Sequence, residues 1–418
     1  MQSIHMPRLP RNALSHFGEL MTRARNVLVA LACVAFALQS AAFAQKKYDT
    51  GASDTEIKLG QTMPYSGPAS AFATMGKTEA AYFQKINDQG GIHGRKVTLI
   101  SLDDGYSPPK TVEQTRRLVE QENVLMIYGS LGTAHATATH KYLNSKRVPQ
   151  LFIATSGLRW DDPKNFPWTM ALPPNQRADT SLFVQHLLKT RPNAKIAILY
   201  QNDDYGKDYV KAFRDALGAQ ADRMIVAQTS YEVTDPTADS QIVALQAAGA
   251  DALCIFASPK FAALTIRKVY DIGWRPQEYL AYPAASAKSV LQPAGLEKST
   301  GVISAHFLKD AADPQWNKDP GMQEYLAFMR KYYPDGDPTE YFNVMGYMWA
   351  QALVYVLERC GDDLTRENVM KQAASLNNVA LPTLLPGIAL QTSASDFAPL
   401  KQMQLMRFDG KGWVRVGN

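Results

Sequence analysis

Residues 195–217 read KIAILYQNDDYGKDYVKAFRDAL. Lys195 to Tyr200 is a short apolar run of strand length, and residues 206–217 form an amphipathic helix. The loop Asn202-Asp203-Asp204-Tyr205-Gly206 joins them. A strand feeding a helix through a polar loop is one unit of an open parallel α/β sheet, and the unit recurs on both sides of this stretch. Downstream the pattern predicts strand 223–229, helix 238–248, strand 251–256, helix 260–272 and strand 278–282. Upstream, after a proline step at Pro173-Pro174, helix 175–189 leads in. Before that step an equivalent series runs strand 57–62, helix 74–88 closed by Gly90-Gly91, strand 97–102, and a helix begun by Pro108-Pro109. Strand 124–128, helix 133–145 and strand 150–153 complete it. Two βα series with no low-complexity linker between them imply α/β architecture with two doubly wound lobes. At the C-terminus, Gln402 to Phe408 and Trp413 to Val416 flank Asp409-Gly410-Lys411-Gly412, which predicts a β-hairpin.

The N-terminal segment carries a different message. Arg23 and Arg25 precede the apolar run Val27 to Leu38, too short to span a bilayer, and Ala42-Phe43-Ala44 is a small-x-small cleavage pattern. Residues 1–44 therefore read as a secretory signal peptide and place the mature protein outside the cytoplasm, away from ATP and NAD pools. The sequence holds 44 Lys+Arg and 39 Asp+Glu; removing the four arginines and one glutamate of residues 1–44 leaves 40 against 38. With no basic stripe, nucleic acid is not an expected partner. Cys254 and Cys360 remain after cleavage, the first in an apolar strand and the second at the end of a long helix. They are expected to be separate thiols.

In doubly wound sheets, ligands sit on loops beyond the carboxyl ends of strands. Three loops qualify. Gly129-Ser130-Leu131-Gly132-Thr133 opens a helix, where free N–H groups and the dipole favour an anion. Ala154-Thr155-Ser156-Gly157 adds two hydroxyls, and the Asp203–Gly206 loop presents Tyr205. Each taken alone is ordinary loop chemistry. Tyr341-Phe342 and Tyr347-Met348-Trp349 read as core packing. His135 and His140, five apart, are poorly spaced for joint metal ligation, and Asp103-Asp104 reads as a solvated turn, so no metal and no cofactor are expected. Met75-Gly76-Lys77-Thr78 fails as a phosphate loop because Ala71 occupies the required glycine position. With no nucleophile elbow or zinc-protease pattern, no catalytic residue is expected and the chain does not read as an enzyme.

Met63-Pro64-Tyr65-Ser66-Gly67-Pro68, Ile86-Asn87-Asp88-Gln89-Gly90-Gly91-Ile92-His93-Gly94-Arg95-Lys96 and Ile198 to Gly206 resemble the leucine/isoleucine/valine-binding protein family. The resemblance spans essentially the whole chain after residue 44. It implies a type I periplasmic binding protein: two lobes joined by three crossovers that close on a ligand, acting as the monomeric capture component of an inner-membrane ABC permease. By that resemblance lobe one comprises 55–171 plus 305–385 and lobe two 172–304 plus 386–418. The crossovers fall near Leu172-Pro173, Ser304-Ala305 and Leu385-Pro386.

The family's carboxylate-binding hydroxyl matches Thr133, and its next loop matches Ala154-Thr155-Ser156, with either Thr155 or Ser156 as the contact. The aromatic cover matches Tyr205, and the aromatic following Ser-Gly-Pro matches Phe72. The acid that pairs a ligand ammonium is missing: Tyr282-Pro283-Ala284-Ala285 stand there. A buried ammonium without a counter-charge is strongly unfavourable. The expected ligand is therefore a carboxylic acid with an apolar or aromatic body, covered by Phe72, Tyr205, Tyr282 and Trp160. Binding of branched-chain amino acids, and a periplasmic sensor docking on a membrane receptor, are the alternatives.

Overall fold

The computed structural model describes residues 46–417. The signal segment and its cleavage point lie outside the described residues. The first series forms β1 (Glu56–Met63), α1 (Ala73–Asp88), β2 (Lys96–Asp103), α2 (Pro108–Glu120), β3 (Met126–Tyr128), α3 (Thr133–Ser145), β4 (Gln150–Ile153) and β5 (Thr169–Ala171). The second forms α4 (Gln176–Thr190), β6 (Ile196–Gln201), α5 (Asp204–Leu217), β7 (Ile225–Tyr231), α6 (Asp239–Ala247), β8 (Ala252–Phe256), α7 (Pro259–Asp271) and β9 (Gln277–Leu280). Then follow β10 (Ile303–His306), α8 (Pro320–Tyr332), α9 (Tyr341–Cys360), α10 (Arg366–Ala373), β11 (Gln404–Phe408) and β12 (Trp413–Arg415).

One sheet has the order β2-β1-β3-β4-β5, all parallel. The other runs β7-β6-β8-β9-β10-β11-β12, parallel through β10, with β11 antiparallel to β10 and β12 closing the C-terminal hairpin. In both sheets the strand order reverses at the first strand, between β1 and β3 and between β6 and β8. The loops leaving such paired strands turn to opposite faces and open a crevice at their carboxyl ends. The α/β class and the doubly wound winding are as the alternation predicts.

Ser304 and Ala305 lie inside β10, in register with Met406 and Leu405 of β11, so the chain leaves the second sheet only after His306. Phe307 and Leu308 join the core of the first sheet. Ile388, Leu390, Phe397 and Leu400 join it too. The apolar side chains of this segment decide the matter: it packs on the first core and returns to the second sheet only at β11.

Helix α9 is apolar all round and nearly wholly buried, as a helix with no polar face must be. It crosses α1 at Gly346, where an added Cβ would lie 2.5 Å from the Met75 carbonyl oxygen. Gly346→Ala is therefore expected to overpack two backbones and destabilise the fold by about 1–3 kcal/mol. Urea unfolding checks this, and an unchanged midpoint would refute the close approach. Cys254 and Cys360 are free and buried. Among the described residues no helix is long and apolar enough to cross a membrane.

Candidate ligand site between the two sheets

The loops after β3 and β4 lie side by side, pinned by a parallel bridge between Leu131 and Ala154 and by the Ala154 N–H donating to the Ser130 carbonyl at 2.9 Å. Gly132 caps α3 at φ +106°, and a Cβ there would meet the His135 ring at 2.4 Å, so only glycine fits. Because Gly132 has no side chain to cap the helix, the first-turn N–H groups of α3 are left for another acceptor. Thr133 and Thr155 are buried, and their hydroxyls hydrogen-bond to each other. The Ser156 hydroxyl is buried without a partner.

A register shift in β4 between Leu151 and Ile153 aims this second loop. Phe152, at the shift, takes φ +54°, and its carbonyl accepts the Trp349 indole N–H at 3.0 Å. Helix α9 thus fastens the strand end that delivers Thr155 and Ser156.

The opposite wall comes from the second sheet. Asp203 caps α5 by accepting the Gly206 N–H at 3.2 Å, which sets Tyr205 in the helix's first turn. The Tyr205 hydroxyl is buried and has no partner. Tyr282 follows β9; its hydroxyl donates to the Pro174 carbonyl at 3.3 Å and its N–H to Asp179 at 3.4 Å. Asp179 also accepts the Tyr209 hydroxyl at 2.9 Å, and burial pushes its carboxyl up to about 7. This carboxyl lies beneath the tyrosines and is not among the residues that face the cavity.

Phe72, Thr133, Ala154, Thr155, Ser156, Tyr205 and Tyr282 all line one cavity enclosing about 550 Å³ of empty space, its mouth included. Trp160 does not. It packs with Ala136, Ile153 and Ala171 and borders a smaller neighbouring cavity beyond Thr155 and Ser156. Sequence reasoning missed Tyr106, Gln201, Met345 and Trp349 in the lining. Gln201 ends a strand and was legible as a strand-end residue. Tyr106 follows the Asp103-Asp104-Gly105 turn at φ +57°, which no sequence pattern revealed. Met345 and Trp349 sit on a helix buried on all sides, so nothing in its periodicity marks the turn that faces a ligand. Among the described residues, no Asp, Glu, Lys or Arg lines this cavity.

Several contacts bridge the two sides. Arg159, on the Thr155-Ser156 loop, pairs with Asp204 at 2.8 Å and Asp208 at 3.1 Å, both on the Tyr205 helix. Glu340, the cap of α9, accepts hydroxyls from Ser286 and Ser289, and Lys288 pairs with Asp337 at 3.1 Å.

Beneath the Gly129 loop, Glu79 is buried with Gln61 and Tyr128 as hydrogen-bond donors. Burial pushes its carboxyl up to about 8, and those bonds only partly oppose the rise. The folded state therefore holds this proton at pH values where the unfolded chain has lost it. Its contribution to stability is present below the ordinary carboxyl value and falls as pH rises toward about 8. Glu79→Gln removes that titration. The melting temperature of the variant minus that of the parent should rise between about pH 5 and pH 8; a constant difference would contradict the assignment.

A family model described as a periplasmic binding protein matches residues 56–412. The chain belongs to the periplasmic binding protein family. This periplasmic binding protein is 24% identical over 321 residues to the Leu/Ile/Val-binding protein homolog 7 of Brucella abortus, covering 73% of this chain and 78% of that one. A branched chain amino acid ABC transporter structure from Thermus thermophilus with bound valine matches with TM-score 0.78 and 17% identity, over 88% of this chain and 97% of that one. A fatty acid ABC transporter substrate-binding protein from Thermomonospora curvata matches with TM-score 0.73 and 22% identity, over 88% and 94%. These likenesses establish the type I periplasmic binding protein fold. The periplasmic binding protein family is one of substrate-binding proteins.

Proposed function

We propose that this protein is exported through its signal peptide and captures a small carboxylic acid with an apolar or aromatic body, delivering it to an inner-membrane ABC permease. The observation that carries the reading is the asymmetry of the cavity. One wall offers the Thr133, Thr155 and Ser156 hydroxyls beside a helix N-terminus, the remainder is mainly aromatic and apolar with Gln201 and Ser258 as its polar side chains, and among the described residues no acid lines it. An ionised carboxylate suits the first wall, through charge-assisted hydrogen bonds and the helix dipole. An α-ammonium has no counter-charge there and would carry its desolvation cost unrelieved.

The two lobes are each built on one doubly wound sheet. They would exchange between open and closed arrangements, the ligand favouring closure by contacting both walls. The pairs Arg159–Asp204, Arg159–Asp208 and Lys288–Asp337 link residues of the two series, and on this reading they would favour closure. Branched-chain amino acid binding is the second reading, favoured by the name of the Brucella relative and the valine in the Thermus structure. The fatty acid ligand named for the Thermomonospora protein is a carboxylate without an ammonium, in keeping with the first.

Thermal denaturation against a panel of amino acids and aliphatic and aromatic acids tests both, since a ligand of the folded state raises the melting point by mass action. A rise with apolar acids and none with leucine or valine is the expected result. The converse would replace the first reading by the second.

A further inference from the structure

Tyr106 and Gln201 line the ligand cavity and also line a second compartment between the two sheets, with about 370 Å³ of empty space. The two shared residues are hydrogen-bonded, Gln201 Nε2 donating to the Tyr106 hydroxyl at 3.3 Å. On the far side stand Pro108 and His135 from the first series and Asp203 and Glu232 from the second. His135 is 2% exposed, its ring lies 4.2 Å from that of Tyr106, and neither ring nitrogen is hydrogen-bonded. Among the described residues no lysine or arginine lines this compartment.

The acceptors here outnumber the donors, which are the Gln201 amide and the Asn202 amide, the latter already donating to Glu232. Asp203 and Glu232 are acceptors when ionised, and a neutral imidazole offers one acceptor nitrogen. Burial holds His135 below the usual histidine range, against the opposing charge of Asp104, so the ring is neutral near pH 7. Asp203 is engaged by Gln201 Nε2 at 2.6 Å and by the Gly206 N–H, and each carboxylate oxygen has a further lone pair to offer. A group entering past Tyr106 and Gln201 meets the Asp203 carboxylate and the unpartnered His135 ring, with the Asn202 amide turned to Glu232 and no lysine or arginine among the described lining residues.

We propose that this compartment receives the far end of the same ligand, and that this end carries a hydrogen-bond donor, a hydroxyl or an ammonium, opposite the carboxylate held at Thr133. The inference rests on the carboxylic-acid reading above and narrows it to elongated acids with a polar tip.

Calorimetric titration of the purified protein with phenylpropanoate, its para-hydroxy derivative and its para-aminomethyl derivative tests it. One substituted acid is expected to bind at least about tenfold tighter than the parent. The hydroxy and aminomethyl arms tell a neutral donor from a cation. Asp203→Asn, with folding checked by circular dichroism, should cut the advantage to below about threefold; an advantage that persists overturns the assignment of Asp203. Should that variant fail to fold, the ligand series on the unmodified protein still decides. If the parent acid binds and neither substituent helps, the compartment has no such role while the carboxylic-acid reading stands. If none of these acids binds and leucine does, both fall.

Discussion

Replacing Thr133 by alanine is expected to weaken binding of an apolar acid by roughly ten- to a hundredfold, the span of a hydrogen bond to a charged group worth about 1.5–3 kcal/mol. Thr133 is the first residue of α3, buried, and joined hydroxyl to hydroxyl with Thr155. Its removal takes away one donor and leaves the Thr155 hydroxyl without its partner, so the anion loses both a contact and the group that orients the next one. The fold should survive, because Gly132 and the backbone bridge between Leu131 and Ala154 hold the loop without this side chain. Calorimetry with the acid giving the largest thermal shift checks the prediction. An affinity equal to that of the parent would put the carboxylate elsewhere.

Truncating Trp349 to alanine should have the largest effect on stability, about 3–5 kcal/mol. The ring is fully buried on α9, and its N–H satisfies the Phe152 carbonyl. Alanine would leave a cavity in the centre of the first core and a carbonyl without a donor at the irregular end of β4. Trp349→Phe keeps most of the volume and loses the hydrogen bond, so it should cost about 1–3 kcal/mol and disturb binding through the Thr155-Ser156 loop. Urea unfolding separates the two variants. A loss below about 1 kcal/mol for the alanine variant would show that the core closes over the gap.

Much of this architecture was legible along the chain. Strand–loop–helix units such as 195–217 have local periodicity, and turn residues such as Asp203 and Gly206 act within a few positions of themselves. The same holds for α2, where Pro108 sits in the first turn. Seven of the eight ligand residues named from sequence line the cavity because strand-end loops must converge at the reversal of a doubly wound sheet. Trp160 escaped that logic. It lies one turn beyond the loop, and whether it faces the ligand or the core beside Ile153 depends on the path taken after Gly157.

The segment 386–400 likewise has no strong local period, and its attachment to the first core follows from which apolar surface remained uncovered. Helix α9 was recognisable as buried. Its contribution of Met345 and Trp349 to the cavity depends on its rotation against α1, which Gly346 permits and no one-dimensional pattern encodes.

Residue type and short-range spacing alone laid down the winding of both sheets and the strand-end loops that carry Thr133, Thr155, Ser156 and Tyr205. The tertiary structure alone decided which rings share the cavity, where the chain crosses between sheets, and that Tyr106 and Gln201 divide two compartments. Those outcomes arise from side chains far apart in sequence competing for the same buried volume, and only the folded packing resolves that competition.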